Sequence, residues 1–308
     1  MRTPSTLVGQ VADRLGGAPY AAGWSLVQAL PEPVAVRLFD AAADLARRRG
    51  GAPVDQLTAN LRRVEPYTDG RLRIGGEGGA PDLVRAAMRS YARYWREVFR
   101  LPVTSRERIV GGMRTVGEDR FRAAVAAPTG TVLALPHSGN WDHAGAWCGA
   151  TGAPFTTVAE RLRPESLFDR FVAFRESLGM EVLPLTGGPR PAYRVLLERL
   201  KAGGTLCLLA DRDLSARGID VVFFGATARM PAGPAQLSLA TGATLLPVTL
   251  AFTDDGWLCT FHPEVPHSDV ATMTQQVADA FAEGIAAHPA DWHMLQRLWV
   301  DDLPRTRA

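Results

Sequence analysis

A histidine and a carboxylate lie five positions apart in the run Leu135-Pro-His-Ser-Gly-Asn-Trp-Asp142. An imidazole can take a proton from a hydroxyl group, and a carboxylate beside it can hold the tautomer and stabilise the cation. His137 and Asp142 are therefore candidate catalytic residues. A structural interpretation competes with this one, because a histidine at a strand end can simply be packed, and Asp142 suits the first turn of a helix.

A second acid, Asp211, stands at an equivalent place in the pattern. The apolar runs Thr131–Leu135 and Thr205–Ala210 each predict a short buried strand, and His137 and Asp211 follow shortly after them. Open α/β sheets bind their ligands at the carboxyl ends of their strands. Either Asp142 or Asp211 could thus be the partner of His137, and the sequence spacing does not decide between them.

Further side chains near these strand ends are candidates for substrate binding. Ser138 and Asn140 belong to the same loop as His137. Guanidinium groups offer paired donors to phosphate or an anionic headgroup, although a surface salt bridge is the alternative for an arginine within a helix. The candidate arginines are Arg161, Arg175, Arg212 and Arg229, of which Arg229 would stand at the mouth of an apolar groove.

The motifs disfavour three other kinds of site. Ser138 and Asn140 occupy the places where a His-x-His-x-Asp-His metal string needs histidines, and the three cysteines form no metal-binding pattern. Ser138 also lacks the Gly-x-Ser-x-Gly elbow of serine hydrolases, and no glycine fingerprint for a nicotinamide cofactor is present. The sequence therefore predicts a site without a metal or a cofactor.

Charge is unevenly distributed along the chain. The net charge of the 308 residues is only +2, but residues 1–130 carry 20 arginines against 13 acidic residues. A basic N-terminal half favours an anionic surface as partner, such as lipid headgroups. Nucleic acid is the rival, yet no nucleic-acid-binding motif is present. No apolar run approaches the ~18 residues of a membrane span, so we expect any membrane contact to be peripheral.

Hydrophobic periodicity divides the chain near residue 130. Residues 1–130 read as mostly helical, and Trp24 and Leu26 would lie either on a membrane-facing hairpin or on a helix packed against the protein. Residues 131–308 alternate between strands and helices, which implies crossover connections. We therefore predict one compact α/β domain with a mostly parallel central sheet flanked by helices. The predicted strands are Thr131–Leu135, Phe155–Ala159, Glu181–Leu185, Thr205–Ala210, Thr244–Ala251 and Trp257–Phe261.

The motifs taken together resemble a known family. The run His137-Ser-Gly-Asn-Trp-Asp142 is similar to the His-x4-Asp signature of glycerolipid and lipid A acyltransferases, and Phe223-Phe-Gly and Thr241-Gly-Ala-Thr-Leu-Leu-Pro-Val look like their bacterial lauroyl-transferase branch. Within it, the chain resembles the actinobacterial phosphatidylinositol mannoside acyltransferases in strings such as Ser90-Tyr-Ala-Arg-Tyr-Trp-Arg-Glu, Thr156-Thr-Val-Ala-Glu-Arg-Leu and Ala290-Asp-Trp-His-Met-Leu-Gln.

The resemblance implies transfer of a fatty acyl group, typically palmitoyl, from acyl-CoA as co-substrate to a mannose hydroxyl. The acceptor would be a mannosylated phosphatidylinositol at the cytoplasmic face of the plasma membrane. The family's base matches His137, its motif carboxylate matches Asp142, and an arginine of the site matches Arg175. A further acid that partners the base matches Asp211, although the mannoside enzymes usually have the longer Glu there.

Three hypotheses follow from these observations. The first is the acyltransferase, with another glycolipid or a lysophospholipid as alternative acceptor. The second is a metal-dependent hydrolase, and the third is a lipid-binding protein without catalytic activity. For the first, we expect Leu135, Leu208 and Phe224 to line an apolar groove for the acyl chain. Backbone N–H groups near Asn140–Asp142 would stabilise the oxyanion.

Overall fold

The computed structural model describes residues 17–161, 165–213 and 217–303. Residues 1–16 of the predicted helical region, and Pro164 at the start of a predicted helix, lie outside these ranges. The helices are α1 (Gly17–Ala29), α2 (Glu32–Arg49), α3 (Ala52–Val64), α4 (Leu83–Arg100), α5 (Arg106–Gly111), α6 (Glu118–Ala126), α7 (Trp141–Ala150), α8 (Glu165–Ser177), α9 (Ala192–Lys201), α10 (Gly233–Thr241) and α11 (Val270–Ala287).

The strands form a large sheet and a separate hairpin. They are β1 (Met113–Val116), β2 (Thr131–Leu135), β3 (Phe155–Ala159), β4 (Met180–Pro184), β5 (Thr205–Leu209), β6 (Ile219–Phe223), β7 (Ala226–Met230), β8 (Thr244–Phe252) and β9 (Trp257–Phe261). The seven-stranded sheet has the order β1-β9-β8-β2-β5-β3-β4. Only the β8–β9 pair is antiparallel among its neighbouring strands. The predicted α/β class with a mostly parallel sheet is confirmed.

The two faces of the sheet bury separate sets of side chains. Along β2, Val132 and Ala134 belong to one hydrophobic cluster, whereas Leu133 and Leu135 belong to the other. The first cluster packs against α9, α10 and α11, and the second packs against α4, α6, α7 and α8. Every residue of β2 is buried. This explains why β2 is an unbroken apolar run, as strands covered on both faces usually are.

Helix α4 joins the N-terminal helices to the sheet. Asp82 caps it by accepting a hydrogen bond from the Val84 N–H at 3.0 Å, which satisfies one of the free donors of the first turn. Near its start, Leu83 and Ala87 pack in a third cluster with residues of α3, while Tyr94 and Val98 pack against the sheet. The middle turns of α4 therefore lie against the sheet, near the ends of its strands.

Three strands were not foreseen from the sequence. The edge strand β1 has only four residues, and its side chains alternate between half-buried and exposed, so its pattern is too short to stand out. It also precedes the boundary predicted at residue 130. Strands β6 and β7 form an antiparallel hairpin whose turn residues Phe224 and Gly225 have φ of 49° and 73°. A phenylalanine in this left-handed region is rare and gives no turn signal.

The N-terminal helices differ in how far they bury their apolar residues. Trp24 packs against the rings of Phe99, Phe171 and Phe174, whereas the Leu26 side chain is largely exposed. Exposed apolar residues also recur along α2, at Val34, Leu38 and Leu45. Within the residues described, no helix is long and apolar enough to cross a membrane.

Candidate active site

His137 and Asp211 are in direct contact. The His137 Nδ1 atom lies 2.6 Å from Asp211 Oδ1, and the His137 backbone N–H donates to Asp211 Oδ2 at 2.9 Å. The Asp211 side chain is fully buried, whereas the His137 side chain is 28% exposed. With Nδ1 held by the carboxylate, the other ring nitrogen, Nε2, is the one left for a substrate.

The strand register explains this contact. Strands β2 and β5 are parallel neighbours in which Leu135 pairs with Leu209. His137 and Asp211 each follow two residues later, so they meet at the same edge of the sheet. The Ala210 N–H also donates to the Leu135 carbonyl at 2.8 Å, which extends the pairing by one step. The question of which acid partners His137 is thereby answered in favour of Asp211, and the shorter aspartate makes the contact.

Asp211 is held in its ionised form. Burial opposes the charge of this carboxyl, but the neighbouring His137 ring and hydrogen bonds from His137 and Trp292 outweigh it and lower the pKa of Asp211. The Trp292 indole N–H donates to Asp211 Oδ2 at 3.0 Å. Because the carboxylate is an acceptor, the shared proton lies on His137 Nδ1, and Nε2 is left unprotonated in the neutral ring.

Asp142 has different partners. Its Oδ1 accepts from Arg175 Nε at 2.6 Å, and its Oδ2 accepts from Arg175 Nη2 at 3.1 Å and from the Tyr94 hydroxyl at 2.8 Å. Burial opposes the charge of Arg175, yet the Asp142 carboxylate outweighs it and raises the pKa of the guanidinium. Burial and the same carboxylate raise the pKa of Tyr94 well above its usual value, so Tyr94 remains a donor.

The Asp142 cluster fixes the helix that follows the loop of residues 136–140, which carries His137. Arg175 comes from the last turn of α8 and Tyr94 comes from α4, so Asp142 ties both elements to the first turn of α7. Trp141 beside it stacks on Tyr94 with ring centroids 4.0 Å apart, and its ring meets His137 edge-on at 5.6 Å. Asp142 and Arg175 thus support the walls around His137 without bonding to its ring.

Ser138 and Asn140 are both buried in the loop that carries His137. The Ser138 hydroxyl accepts from the Leu250 N–H at 3.3 Å. The Asn140 side chain caps α7 by accepting from the His143 N–H at 2.9 Å, and it donates to Glu97 at 2.8 Å. These contacts shape the loop, and the contact of Ser138 and Asn140 with substrate stays a prediction.

The other predicted arginines lie on three separate segments. Arg161 follows β3, is exposed, and donates to the Gly187 carbonyl at 3.1 Å. Arg212 follows Asp211, is half-buried, and lies 3.9 Å from Glu160. Arg229 forms an ion pair with Asp220 on the β6–β7 hairpin at 2.7 Å. Arg212 is thus next to Asp211 in sequence, while Arg229 belongs to the hairpin.

A segment after α11 completes the site, although the sequence analysis used it only for the family resemblance and gave its residues no role there. The His293 N–H donates to the His137 carbonyl at 2.7 Å, and the Gly139 N–H donates to the Asp291 carbonyl at 2.9 Å. The Ser90 hydroxyl donates to Asp291 Oδ1 at 2.6 Å and lies 2.9 Å from His293 Nε2. Burial, with the nearby His137, lowers the pKa of His293 to about 3. Its tryptophans, Trp292 and Trp299, were the sequence feature that could have pointed to this segment.

An apolar cavity lies beneath the catalytic loop, between the sheet and α7. Its lining includes Leu135, Trp147 and all three cysteines, Cys148, Cys207 and Cys259. Its volume is about 20 Å³, room for about one water molecule. Leu208 and Phe224, expected to share this wall with Leu135, instead pack in the cluster on the opposite face of the sheet. Leu208 does so because alternate residues of a strand point to opposite faces, and Phe224 does so because it lies in the turn of the separate β6–β7 hairpin.

His143 matches the last histidine of the metal-binding string considered above, and it is packed in the core. Its ring stacks on Trp257 with centroids 3.5 Å apart, and burial lowers its pKa to about 4. In the part of the chain that the structure describes, no cluster of three or more His, Cys, Asp or Glu side chains could hold a metal ion. His143 is therefore a packed, neutral residue.

Comparison with known proteins adds an independent line of evidence. A family model described as bacterial lipid A biosynthesis acyltransferase matches residues 16–301. A phosphatidylinositol mannoside acyltransferase of Mycolicibacterium smegmatis is 52% identical over 98% of this chain and 95% of its own length. Proteins of the same name from two Mycobacterium tuberculosis strains, CDC 1551 and H37Rv, are each 49% identical over 94% of this chain and 90% of their own length.

Proposed function

Because this chain belongs to the bacterial lipid A biosynthesis acyltransferase family and is an O-acyltransferase, we propose that it acylates a mannose hydroxyl of a phosphatidylinositol mannoside. The donor is a long-chain acyl-CoA, with palmitoyl as the expected acyl group. Support for the acceptor comes from the relatives, which carry that name and match nearly the whole chain. His137 is the general base of the reaction.

The observation that carries the proposal is the 2.6 Å contact between His137 Nδ1 and Asp211. It orients the ring so that Nε2 can take the proton of the mannose hydroxyl, and Asp211 stabilises the imidazolium that results. General-base catalysis of this kind contributes roughly 10²–10⁴-fold in rate. Asp142 and Arg175 act as positioning residues through Tyr94 and the start of α7.

The transfer is direct. The mannose oxygen attacks the thioester carbonyl while His137 takes its proton, and a tetrahedral oxyanion forms. Collapse of this intermediate breaks the carbon–sulfur bond, and the departing thiolate takes the proton back from His137. The N–H groups of Trp141 and Asp142 lie in the first turn of α7, where helical N–H groups lack intrahelical partners. They are the donors that we assign to the oxyanion.

The acyl chain is expected in the apolar cavity beneath the catalytic loop. Support comes from its lining, which includes Leu135, the last residue of β2 and two residues before His137. Each buried methylene contributes about 0.8 kcal/mol, so a long chain can open this narrow space against the cost of moving α7. Arg161, Arg212 and Arg229 are proposed to contact the anionic parts of the two substrates.

The proposed location is the cytoplasmic face of the plasma membrane, with peripheral attachment. The exposed side chains of Leu26, Val34, Leu38 and Leu45 offer apolar contact, and Arg47–Arg49 end α2 nearby in sequence. Apolar residues combined with arginines suit an interface of anionic lipids.

The test is incubation with palmitoyl-CoA and a panel of acceptors, followed by mass spectrometry of the lipid products. The panel contains phosphatidylinositol mannosides, a lipid A precursor and a lysophospholipid. We expect an acylated mannoside, and its position follows from fragmentation. Acylation of only another acceptor would replace the proposed substrate. Thioester hydrolysis without acylation, abolished by a chelator, would instead identify a metal-dependent hydrolase.

A further inference from the structure

Trp292 gives the Asp211 carboxylate a hydrogen-bond donor from the C-terminal segment. Its side chain is fully buried, and its indole N–H donates to Asp211 Oδ2 at 3.0 Å. An indole has this one donor and no acceptor, so Trp292 uses its single polar side-chain atom on the acid that contacts His137. The rest of the ring packs among apolar residues. A phenylalanine would fill much of that space, so the N–H is what distinguishes the tryptophan.

Packing fixes the direction of this N–H. The indole lies edge-on to the ring of Phe223 and edge-on to the ring of Trp299, with centroids 5.9 Å apart in both cases. The backbone that follows is also held, because the His293 N–H donates to the His137 carbonyl at 2.7 Å. The carboxylate therefore meets a donor whose position is set by the surrounding core.

The two oxygens of Asp211 have different partners. Oδ1 contacts His137 Nδ1 at 2.6 Å, whereas Oδ2 accepts from the His137 backbone N–H at 2.9 Å and from the Trp292 indole. The last side-chain torsion of an aspartate has broad preferences, so the covalent structure alone does not set the plane of the carboxylate. The two donors on Oδ2 set it, and they thereby aim Oδ1 at the ring. Because Asp211 is fully buried, solvent does not replace either donor.

The indole also orients Asp211 without adding a charge. A lysine or arginine at this place would partly cancel the negative charge of Asp211 and weaken its attraction to a protonated His137. The neighbouring Arg212 lies 3.9 Å from the Glu160 carboxylate, and burial keeps His293 neutral. His137 is thus the hydrogen-bond partner of Asp211 that can become positively charged.

We infer that Trp292 is a positioning residue of the transfer reaction. Its indole N–H fixes the Asp211 carboxylate, which in turn holds the His137 ring with Nε2 available to the acceptor hydroxyl. Trp292 acts through Asp211 and takes no proton itself. The inference rests on the proposed role of His137 as general base. It predicts that removal of the N–H lowers the rate without weakening substrate binding.

Trp299 provides a matched control in the same cluster. It is fully buried like Trp292, and its indole N–H also donates at 3.0 Å, but the acceptor is the Phe223 carbonyl at the end of β6. Replacement of either tryptophan by phenylalanine therefore removes one buried N–H and part of one ring. Only the change at Trp292 takes a donor away from Asp211.

The first measurement is the steady-state kinetics of acyl transfer from palmitoyl-CoA to a phosphatidylinositol mannoside. In Trp292→Phe we expect kcat to fall about 10-fold or more, since a hydrogen bond to a charged group is lost, and KM to stay at the wild-type value. Trp299→Phe should keep the kcat of the wild type, although its thermal stability falls as in Trp292→Phe. Equal kcat in the two variants would overturn the inference.

The second measurement does not depend on activity. In protein with isotope-labelled histidine, the Nδ1–H proton of His137 should give a strongly downfield NMR signal, because it lies in a short hydrogen bond to a carboxylate. The signal is assigned by its loss in Asp211→Asn. We expect it to move or broaden in Trp292→Phe and to stay unchanged in Trp299→Phe.

The two measurements separate the inference from the proposed function. An unchanged signal in Trp292→Phe overturns the inference and leaves the proposed function intact. A shifted signal, combined with no acyl transfer by the wild type, contradicts the proposed function and supports the orienting contact of Trp292 with Asp211.

An isosteric analogue covers the case in which Trp292→Phe does not fold. Site-specific incorporation of benzothienylalanine at position 292 keeps a bicyclic ring of the same shape and replaces only the N–H by sulfur. The same analogue at position 299 is its control. We expect a lower kcat and an altered His137 signal for the analogue at position 292 alone. Equal behaviour of the two analogue-containing proteins overturns the inference.

Discussion

Two buried carboxylates at the same edge of the sheet have different roles. Asp211 bonds to the ring of His137 and to two neutral donors, the His137 backbone N–H and the Trp292 indole. Asp142 bonds to a guanidinium and to a phenol, and it is the one that lies five residues from the histidine in sequence. The comparison shows that strand register, and not sequence spacing, decides which acid contacts the His137 ring.

The difference between the two sites is also electrostatic. The Asp211 carboxylate faces a ring whose charge changes during the proposed reaction, so it stabilises a state that exists only transiently. The Asp142 carboxylate faces the permanent charge of Arg175. Disruption of the first contact should therefore affect the rate, and disruption of the second should affect the stability of the fold.

The largest expected effect is that of Asp211→Asn on turnover. An amide cannot stabilise the imidazolium and favours the wrong tautomer of His137, so kcat should fall by roughly 10²–10⁴-fold. The measurement is acyl transfer from palmitoyl-CoA to the mannolipid, with Asp279→Asn on the exposed side of α11 as control. A variant with wild-type kcat would contradict the role of Asp211.

Asp142→Asn should act on stability. It leaves the buried Arg175 without its carboxylate, and loss of one partner of a buried ion pair costs about 3–5 kcal/mol. Urea unfolding of the variant measures this loss. Replacing both Asp142 and Arg175 by neutral residues of similar size should cost less than Asp142→Asn alone. If the double variant is the less stable of the two, the ion pair is not the source of the effect.

Buried histidines, and not Asp211, should cause the loss of stability in mild acid. The pKa of Asp211 is lowered, so it remains ionised in mild acid. The pKa of His143 is lowered to about 4, whereas an unfolded chain takes up that proton near pH 6.5. Protons therefore bind preferentially to the unfolded state below pH 6.5, and the free energy of unfolding falls as the pH decreases.

For His143 this loss should be about 2 kcal/mol between neutral pH and pH 5. The replacement His143→Phe keeps a ring to stack on Trp257 and removes the titration. Urea unfolding at several pH values should then show a shallower slope for this variant than for the wild type. An unchanged slope would mean that the neutral, stacked state of His143 does not contribute.

The smallest expected effect is that of Tyr94→Phe. It removes one hydrogen bond to the Asp142 carboxylate, which keeps its Arg175 partner, and it retains the ring that stacks on Trp141, so we expect a loss of about 1.5 kcal/mol. Thermal unfolding measures the loss, and kcat should change far less than in Asp211→Asn. A large fall in kcat with unchanged stability would show that the Asp142 cluster takes part in the chemistry.

Much of the fold follows from local pattern. The apolar runs that became β2 and β5 are continuous, and the loop after each of them carries His137 or Asp211. Because strands that alternate with helices are parallel, the two loops are expected at the same edge of the sheet. The hairpin β6–β7 was missed because its turn contains Phe224 in a conformation that phenylalanine rarely adopts.

The partners of each side chain were harder to predict because they come from distant parts of the chain. Tyr94 and Asp142 are separated by 48 residues, and Ser90 and Asp291 by 201. No local pattern encodes such pairs. The mannoside enzymes usually have Glu at the position of Asp211, so the sequence left open whether the shorter aspartate contacts His137. The strand register brings the two residues close enough for the contact.

The segment that follows α11 also has a consequence for the order in which the site is assembled. Backbone hydrogen bonds join Asp291 and His293 to the loop that contains His137 and Gly139. The ribosome synthesises these residues long after β2 and β5, so the strands of a nascent chain can pair first. The loop of His137 can gain these two hydrogen bonds only after the C-terminal segment has been made.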